Sequence, residues 1–205
     1  MEQNCSVHLL YNCGAEEVKN SVSVGAFRYE LGFTAGDELY REDLSCDCVV
    51  PVPNSGKYYA MGFAAAIQLP YIQALVKLDS GLCSARSQDQ MFRTKEISEN
   101  IAIIPALVKG KKIALVDEAV FSGTTLKTVI GMLREHGAEQ LHVFIPTPPC
   151  INCCRELPQK ELIMNSHTQD SLGHYLGADS VCFISTGSFR RQMAQYPMLC
   201  HDCFK

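Results

Sequence analysis

At 205 residues, 47% hydrophobic and 20% charged, the chain has the composition of a soluble globular protein, one domain with room for a sizeable core. A net charge of -4 with no dense Lys/Arg run excludes nucleic acid as an obligatory partner. With neither a signal peptide nor an apolar run of spanning length, a cytoplasmic location off the membrane is expected, where disulfides are disfavoured and eleven cysteines need another account.

In chain order, Val7-His8-Leu9-Leu10-Tyr11 reads as a first strand. Residues 15–31 read as a helix using Val18, Val22, Phe27 and Leu31, followed by a short acidic segment (Asp37, Glu38, Glu42, Asp43). Cys46 to Pro53 is a strand whose Val49, Val50 and Val52 predict burial on both faces. It ends in Pro53-Asn54-Ser55-Gly56-Lys57, a turn or an anion loop. A helix from Tyr58 to Gln68 follows, burying Met61, Phe63, Ala64 and Ile67. Tyr71 to Lys77 is a third strand. Residues 78–100 are polar, rich in Ser and Gln and aperiodic, as in a functional lid or a disordered stretch, and Ile101 to Val108 is apolar again.

The run from Lys111 to Thr125 carries the chemistry. Ile113 to Val116 is too short for a helix and reads as a buried strand, and the adjacent carboxylates Asp117 and Glu118 mark its end. Ala119, Val120, Phe121, Ser122, Gly123, Thr124 and Thr125 then form a loop running into a helix with an apolar face of Leu126, Val129, Ile130 and Leu133, stopped at Gly137. An isolated Gly-Thr-Thr would be an ordinary turn with a cap. Behind an acidic pair it suits a phosphorylated sugar: amides at a helix N-terminus hold phosphate, threonine hydroxyls donate, and the carboxylates accept from a ribose diol or reach Mg²⁺ through water. Leu141 to Pro146 is another strand, followed by Thr147-Pro148-Pro149, the cysteines Cys150, Cys153 and Cys154, a helix around 161–176 and a strand at Ser180 to Ile184.

Strands alternating with helices predict an α/β fold, a mostly parallel twisted sheet with helices on both faces and ligands at the carboxyl ends of the strands. Both loops lie there. Cys46, Cys48 and Cys182 sit in apolar runs and fit the role of small buried hydrophobes. Cys200-His201-Asp202-Cys203, near a polar end, has a metal-ligand spacing.

Leu115 to Thr125 resembles the PRPP signature of type I phosphoribosyltransferases, in the form VVDDSIVRGTT found in amidophosphoribosyltransferases. Val52-Pro53-Asn54-Ser55-Gly56 is similar to that family's pyrophosphate loop, VPDSG. Gly62-Phe63-Ala64, Leu69-Pro70-Tyr71, Thr147-Pro148-Pro149, Glu161-Leu162-Ile163, Leu176-Gly177-Ala178-Asp179-Ser180 and Cys200 to Phe204 resemble further segments, so the likeness runs over nearly the whole chain. It implies one phosphoribosyltransferase-like domain over 1–205, with a core at about 45–146 and both flanks joined by cysteines. It implies a 4Fe–4S cluster on Cys5, Cys154, Cys200 and Cys203, with Cys150 and Cys153 competing for the second place and Zn²⁺ as the alternative metal. It implies a homo-oligomer that binds PRPP and an amine, with Asp117, Glu118 and Lys77 as catalytic residues. Residues 119–125 would hold the 5′-phosphate, residues 53–57 the pyrophosphate, and Mg²⁺ would accompany it.

The departures are as informative. The family's N-terminal glutaminase is not found before this part of the chain, so ammonia from solution, a separate glutaminase subunit or a specific amine in a specialised pathway are all open. The basic lid KNRYxxRTF is replaced by Lys77-Leu78-Asp79-Ser80-Gly81-Leu82-Cys83-Ser84-Ala85, with Arg86, Arg93 and Lys95 as substitutes from a shifted lid. Asn54, Glu118 and Ser122 stand where the family has Asp, Asp and Arg. A non-catalytic PRPP-binding regulatory protein is the rival reading, and a structural iron–sulfur or zinc protein a third.

Overall fold

The computed structural model describes residues 4–19, 21–78, 90–153 and 162–204. Its elements in chain order are β1 (Asn4–Cys5), β2 (Val18–Lys19), β3 (Val22–Ser23), α1 (Val24–Leu39), β4 (Cys48–Pro51), α2 (Gly56–Ile67), β5 (Leu75–Lys77), α3 (Gln90–Asn100), β6 (Ile101–Ile103), β7 (Lys112–Val116), α4 (Thr124–Glu135), β8 (Gln140–Ile145), α5 (Gln169–Leu176), β9 (Ser180–Phe183), α6 (Thr186–Met193) and β10 (Leu199–Cys200).

β4, β7, β8 and β9 form one sheet in that order, and every pair in it is parallel. Parallel strands need crossovers, and their helices cover both faces. Side chains alternate accordingly. Val49, Ala114, Val116 and Phe144 join α1, α2 and α6 in one core, while Val50, Ile113, Leu115 and Val143 join α3, α4 and α5 in the other. This is the α/β architecture that the alternation of strands and helices predicts. The strand ends at Pro51 and Val116 run directly into the two loops singled out in the sequence.

Several expectations are corrected. Residues 7–11 are not a strand: His8–Asn12 is a single π-helical turn, and only Asn4–Cys5 pairs, parallel to Leu199–Cys200. Residues 15–31 are not one helix. Val18–Lys19 and Val22–Ser23 form a small antiparallel hairpin with Ser21 at φ 64°, and the helix begins at Val24. Stiff valines and competing serines favour the turn there, which leaves Val18 exposed. In α2 the buried stripe is Tyr59, Ala60, Phe63 and Ala64, and Met61 faces outward at 45% exposure.

Tyr71 to Lys77 is not a regular sheet strand. Tyr71 bridges Val49, and β5 pairs antiparallel with β6, a two-stranded pair with α3 between its strands in the chain. The apolar reading over 101–108 shortens to Ile101–Ile103 with a 3-10 turn at Pro105–Leu107. Within 78–100, residues 90–100 are helical, and residues 79–89 of the expected lid, Arg86 included, lie outside the described residues. The predicted helix around 161–176 is α5 alone, preceded by a 3-10 turn at Ile163–Asn165. α6 was not predicted from the sequence. Among the described residues no helix is long and apolar enough to cross a membrane.

A buried arginine fastens the N-terminal segment. Arg28, on α1 and 3% exposed, donates from Nε to the Leu9 carbonyl and from Nη2 to the Cys13 carbonyl, both at 2.8 Å. Tyr59 Oη donates to the Leu10 carbonyl between them at 2.9 Å. A π turn leaves these carbonyls without regular partners, and buried carbonyls need them. Arg28→Met is expected to cost about 3 kcal/mol and lower Tm by roughly 6–12 °C in differential scanning calorimetry. A change under 1 °C would show that the arginine does not carry this anchor.

Candidate active site

The two loops meet at the ends of β4 and β7. Val52 N–H donates to the Val116 carbonyl at 2.9 Å, and Gly56 N–H to the Val52 carbonyl at 3.0 Å. A Cβ on Gly56 would sit 2.8 Å from the Val116 carbonyl oxygen, so only glycine lets α2 start this close to the acidic pair. The Pro53–Asn54 peptide bond is cis. Asn54 is exposed, Pro53, Ser55 and Lys57 are half-buried, and Gly56 is buried.

Asp117 and Glu118 are 4% and 5% exposed. Asp117 Oδ1 accepts the Glu118 N–H at 3.1 Å, and Thr147 Oγ1 donates to the Glu118 carbonyl at 3.1 Å. Burial pushes the Asp117 carboxyl well above the usual carboxylate range, and the neighbouring Glu118 charge pushes in the same direction. Glu118 Oε2 is buried with no hydrogen-bond partner among the described residues. The protein therefore buries two acceptors and leaves one of them unsatisfied, which a ligand carrying hydroxyl donors would correct.

The loop that follows is a row of donors. Among the described residues, no hydrogen bond uses the amides of Ala119, Val120, Phe121, Ser122, Gly123, Thr124 or Thr125. Gly123 sits at φ +74°, turning the chain into α4, and makes no side-chain cap; Ser55, at the start of α2, makes none either. On α5 and α6 the helix starts are capped by side chains, the Thr168–Ser171 capping box and Ser185, and on α1 the first amides of Val24 and Gly25 reach the Glu17 and Ala15 carbonyls. Neither α2 nor α4 has an acid in its first turn, and each has a lysine there, Lys57 and Lys127. A lysine at the positive end of a helix dipole is favourable only when an anion joins it.

Contacts from distant segments shape this loop. Ile163 N–H donates to the Phe121 carbonyl at 2.8 Å. The Tyr11 ring meets Phe121 edge-on at 6.2 Å. Ser122 and Thr124 hydroxyls are 3.1 Å apart. Sequence reasoning missed Tyr11, Ile163 and Lys127 as parts of the site. Only Lys127 carried a readable signal, a lysine in a first turn without acids. Lys77 ends β5, exposed, and none of the described hydrogen bonds or ion pairs joins it to either loop. Lys95 lies exposed on α3, 3.8 Å from Glu99.

The cysteines divide in two. Burial pushes the Cys46 thiol up to about 12 and raises Cys48 and Cys182, as for protonated, inert core residues. Cys5 and Cys200 are register partners in the β1–β10 pair, and the Cys203 carbonyl accepts from Ile151 N–H at 3.1 Å, bringing the tail beside Cys150. Cys154 lies outside the described residues. Among the described residues no group of three or more His, Cys, Asp or Glu side chains is set out to hold a metal ion.

A model of the phosphoribosyl transferase domain matches residues 36–154. Amidophosphoribosyltransferase 1, chloroplastic, of Arabidopsis thaliana is 28% identical over 191 residues, 90% of this chain and 34% of its own length. The amidophosphoribosyltransferase of Pyrococcus horikoshii is 32% identical over 190 residues, 88% of this chain and 40% of its own. The glutamine phosphoribosylpyrophosphate amidotransferase from B. subtilis, solved in complex with ADP and GMP, matches the fold with a TM-score of 0.85 at 26% identity, covering 100% of this chain and 47% of that one. The chain thus spans 34% and 40% of the length of these two curated relatives.

Proposed function

Because the chain belongs to the phosphoribosyl transferase domain family, we propose that it transfers the phosphoribosyl group of PRPP to ammonia or another amine with release of pyrophosphate. The observation that carries this reading is the run of unused amides at 119–125 beside a buried acidic pair with one unsatisfied oxygen. In it, residues 119–125 hold the 5′-phosphate, Asp117 and Glu118 accept from the ribose hydroxyls, and Pro53 to Lys57 receive the pyrophosphate, with Lys57 or Lys77 supplying charge. The bond from the anomeric carbon to pyrophosphate breaks as the bond to the amine nitrogen forms, through a transition state of oxocarbenium character. Catalysis then rests on orientation and electrostatic stabilisation and uses no protein nucleophile.

The 53–57 loop contains no carboxylate, so Mg²⁺ would be carried by ligand oxygens and water. When bound, it neutralises the leaving group. We assign Cys5, Cys154, Cys200 and Cys203 to a structural 4Fe–4S cluster tying both flanks to the 45–146 core. The side-by-side Cys5 and Cys200, and the buried Ser6 hydroxyl without a partner among the described residues, support that fit. A homo-oligomer in a specialised biosynthetic pathway, supplied with ammonia from solution or by a separate glutaminase, completes the proposal.

Anaerobically purified protein, given Mg²⁺, PRPP and a panel of amines, is expected to release pyrophosphate with at least one acceptor. PRPP binding without release from any of them would instead assign a regulatory, non-catalytic role. The same sample should be coloured by iron, and a colourless protein holding zinc would sink the cluster assignment.

A further inference from the structure

From Asp117 to Leu126 the chain holds two carboxylates and no cation. A phosphate group on the 119–125 amides would therefore face two negative charges with only dipoles in support. The first cation after them is Lys127, in the first turn of α4, whose N–H donates to the Gly123 carbonyl at 2.9 Å. Helical side chains lean toward the N-terminus of their helix, so Lys127 leans toward that loop. The side chain is exposed, and its Nζ lies 3.7 Å from the centroid of the Tyr175 ring. Tyr175 is fixed in turn by the His167 ring at 5.0 Å. The next residue, Leu176, and Ile163 lie 3.4 Å and 3.1 Å from where a Cβ on Gly123 would be. The helix that carries the lysine's aromatic partner thus packs its neighbouring residue, Leu176, against the phosphate loop.

We propose that Lys127, held by Tyr175, is the charged ligand of the phosphate bound at residues 119–125 and sets the preference for a 5′-phosphorylated sugar. This deepens the phosphoribosyl transfer reading and rests on it. Titration calorimetry with two separate probes, ribose 5-phosphate and inorganic pyrophosphate, tests it on wild-type protein, Lys127→Gln, Lys127→Arg and the double variant Lys127→Gln/Ser122→Arg. Losing one charge-assisted contact should weaken ribose 5-phosphate about tenfold in Lys127→Gln and leave pyrophosphate unchanged. Lys127→Arg should keep wild-type affinity, and Ser122→Arg should restore it by placing a charge back at the loop. Unchanged ribose 5-phosphate affinity in Lys127→Gln, or equal weakening of both probes, overturns the inference while leaving the site reading intact. Wild-type protein that binds neither probe overturns both.

Discussion

Asp117→Asn should give a protein that melts at a higher temperature than the wild type and turns over PRPP far more slowly. Asp117 is 4% exposed, and burial together with the adjacent Glu118 raises its carboxyl well above the ordinary range. A carboxyl whose folded pKa exceeds its unfolded value binds more protons folded than unfolded between the two. Its stability contribution is therefore complete below about pH 4, the unfolded value, and is lost as pH rises through the folded value. Asparagine keeps an oxygen to accept the Glu118 N–H and has no charge to desolvate. Ligand-free Asp117→Asn should therefore gain about 1 kcal/mol or more at neutral pH, roughly 2–4 °C in Tm, and the gap to wild type should widen from pH 5 to pH 8.

The same charge is what the ribose hydroxyls need, so turnover should fall by about 10²–10³-fold, as when one preorganised transition-state contact is removed. Thermal melts across pH and pyrophosphate release on one preparation check both halves. Wild-type turnover would reject the ribose assignment, and a lower Tm at pH 8 would reject the electrostatic account of the buried pair.

The parts of this site that were legible in the sequence are local. Ile113 to Val116, Asp117-Glu118 and Gly123-Thr124-Thr125 sit within a strand, a turn and a helix start, each with its own period or turn chemistry, and β7 and α4 lie where that pattern puts them. Tyr11 and Ile163 were illegible because their role comes from packing against Phe121 across a large sequence separation, which leaves no trace in spacing. The N-terminal segment misled for a related reason. Val7 to Tyr11 is apolar enough for a strand, yet Arg28 and Tyr59 take its carbonyls one by one, and a sheet partner is not needed. Met61 was misplaced because the buried face of α2 is chosen by its packing on α1, where Tyr59 and Gly62 meet the α1 backbone, a tertiary contact with no trace in the local pattern. Lys127 was legible in principle, since a first turn with lysine and without acid is a local signal.

Gly32→Ala is expected to be strongly destabilising for a change of one methyl group. α1 and α2 cross with their backbones in contact. A Cβ on Gly32 would lie 2.7 Å from the Tyr59 Cα and closer still to its carbonyl carbon and oxygen, and one on Gly62 would lie 2.8 Å from the Phe33 nitrogen and run into the Tyr29 carbonyl. The obstructing atoms are helix backbone, with no side-chain rotamer to relieve them, so α1 would have to move away from α2 as a unit. That displacement also shifts Tyr59, which holds the Leu10 carbonyl, and the Gly56 start of α2 beside Val116. The loss should be about 3 kcal/mol or more, at the upper end for overpacking, with little folded protein recovered at 37 °C. Gly131→Ala is the internal control: it lies inside α4, nothing stands within 4 Å of its Cβ, and the protein should gain about 0.5–1 kcal/mol. Urea midpoints for the two variants should therefore move in opposite directions from wild type. A Gly32→Ala protein as stable as wild type would mean that the two helices do not touch through their backbones, and α2 would then need another support to aim its N-terminus at the acidic pair.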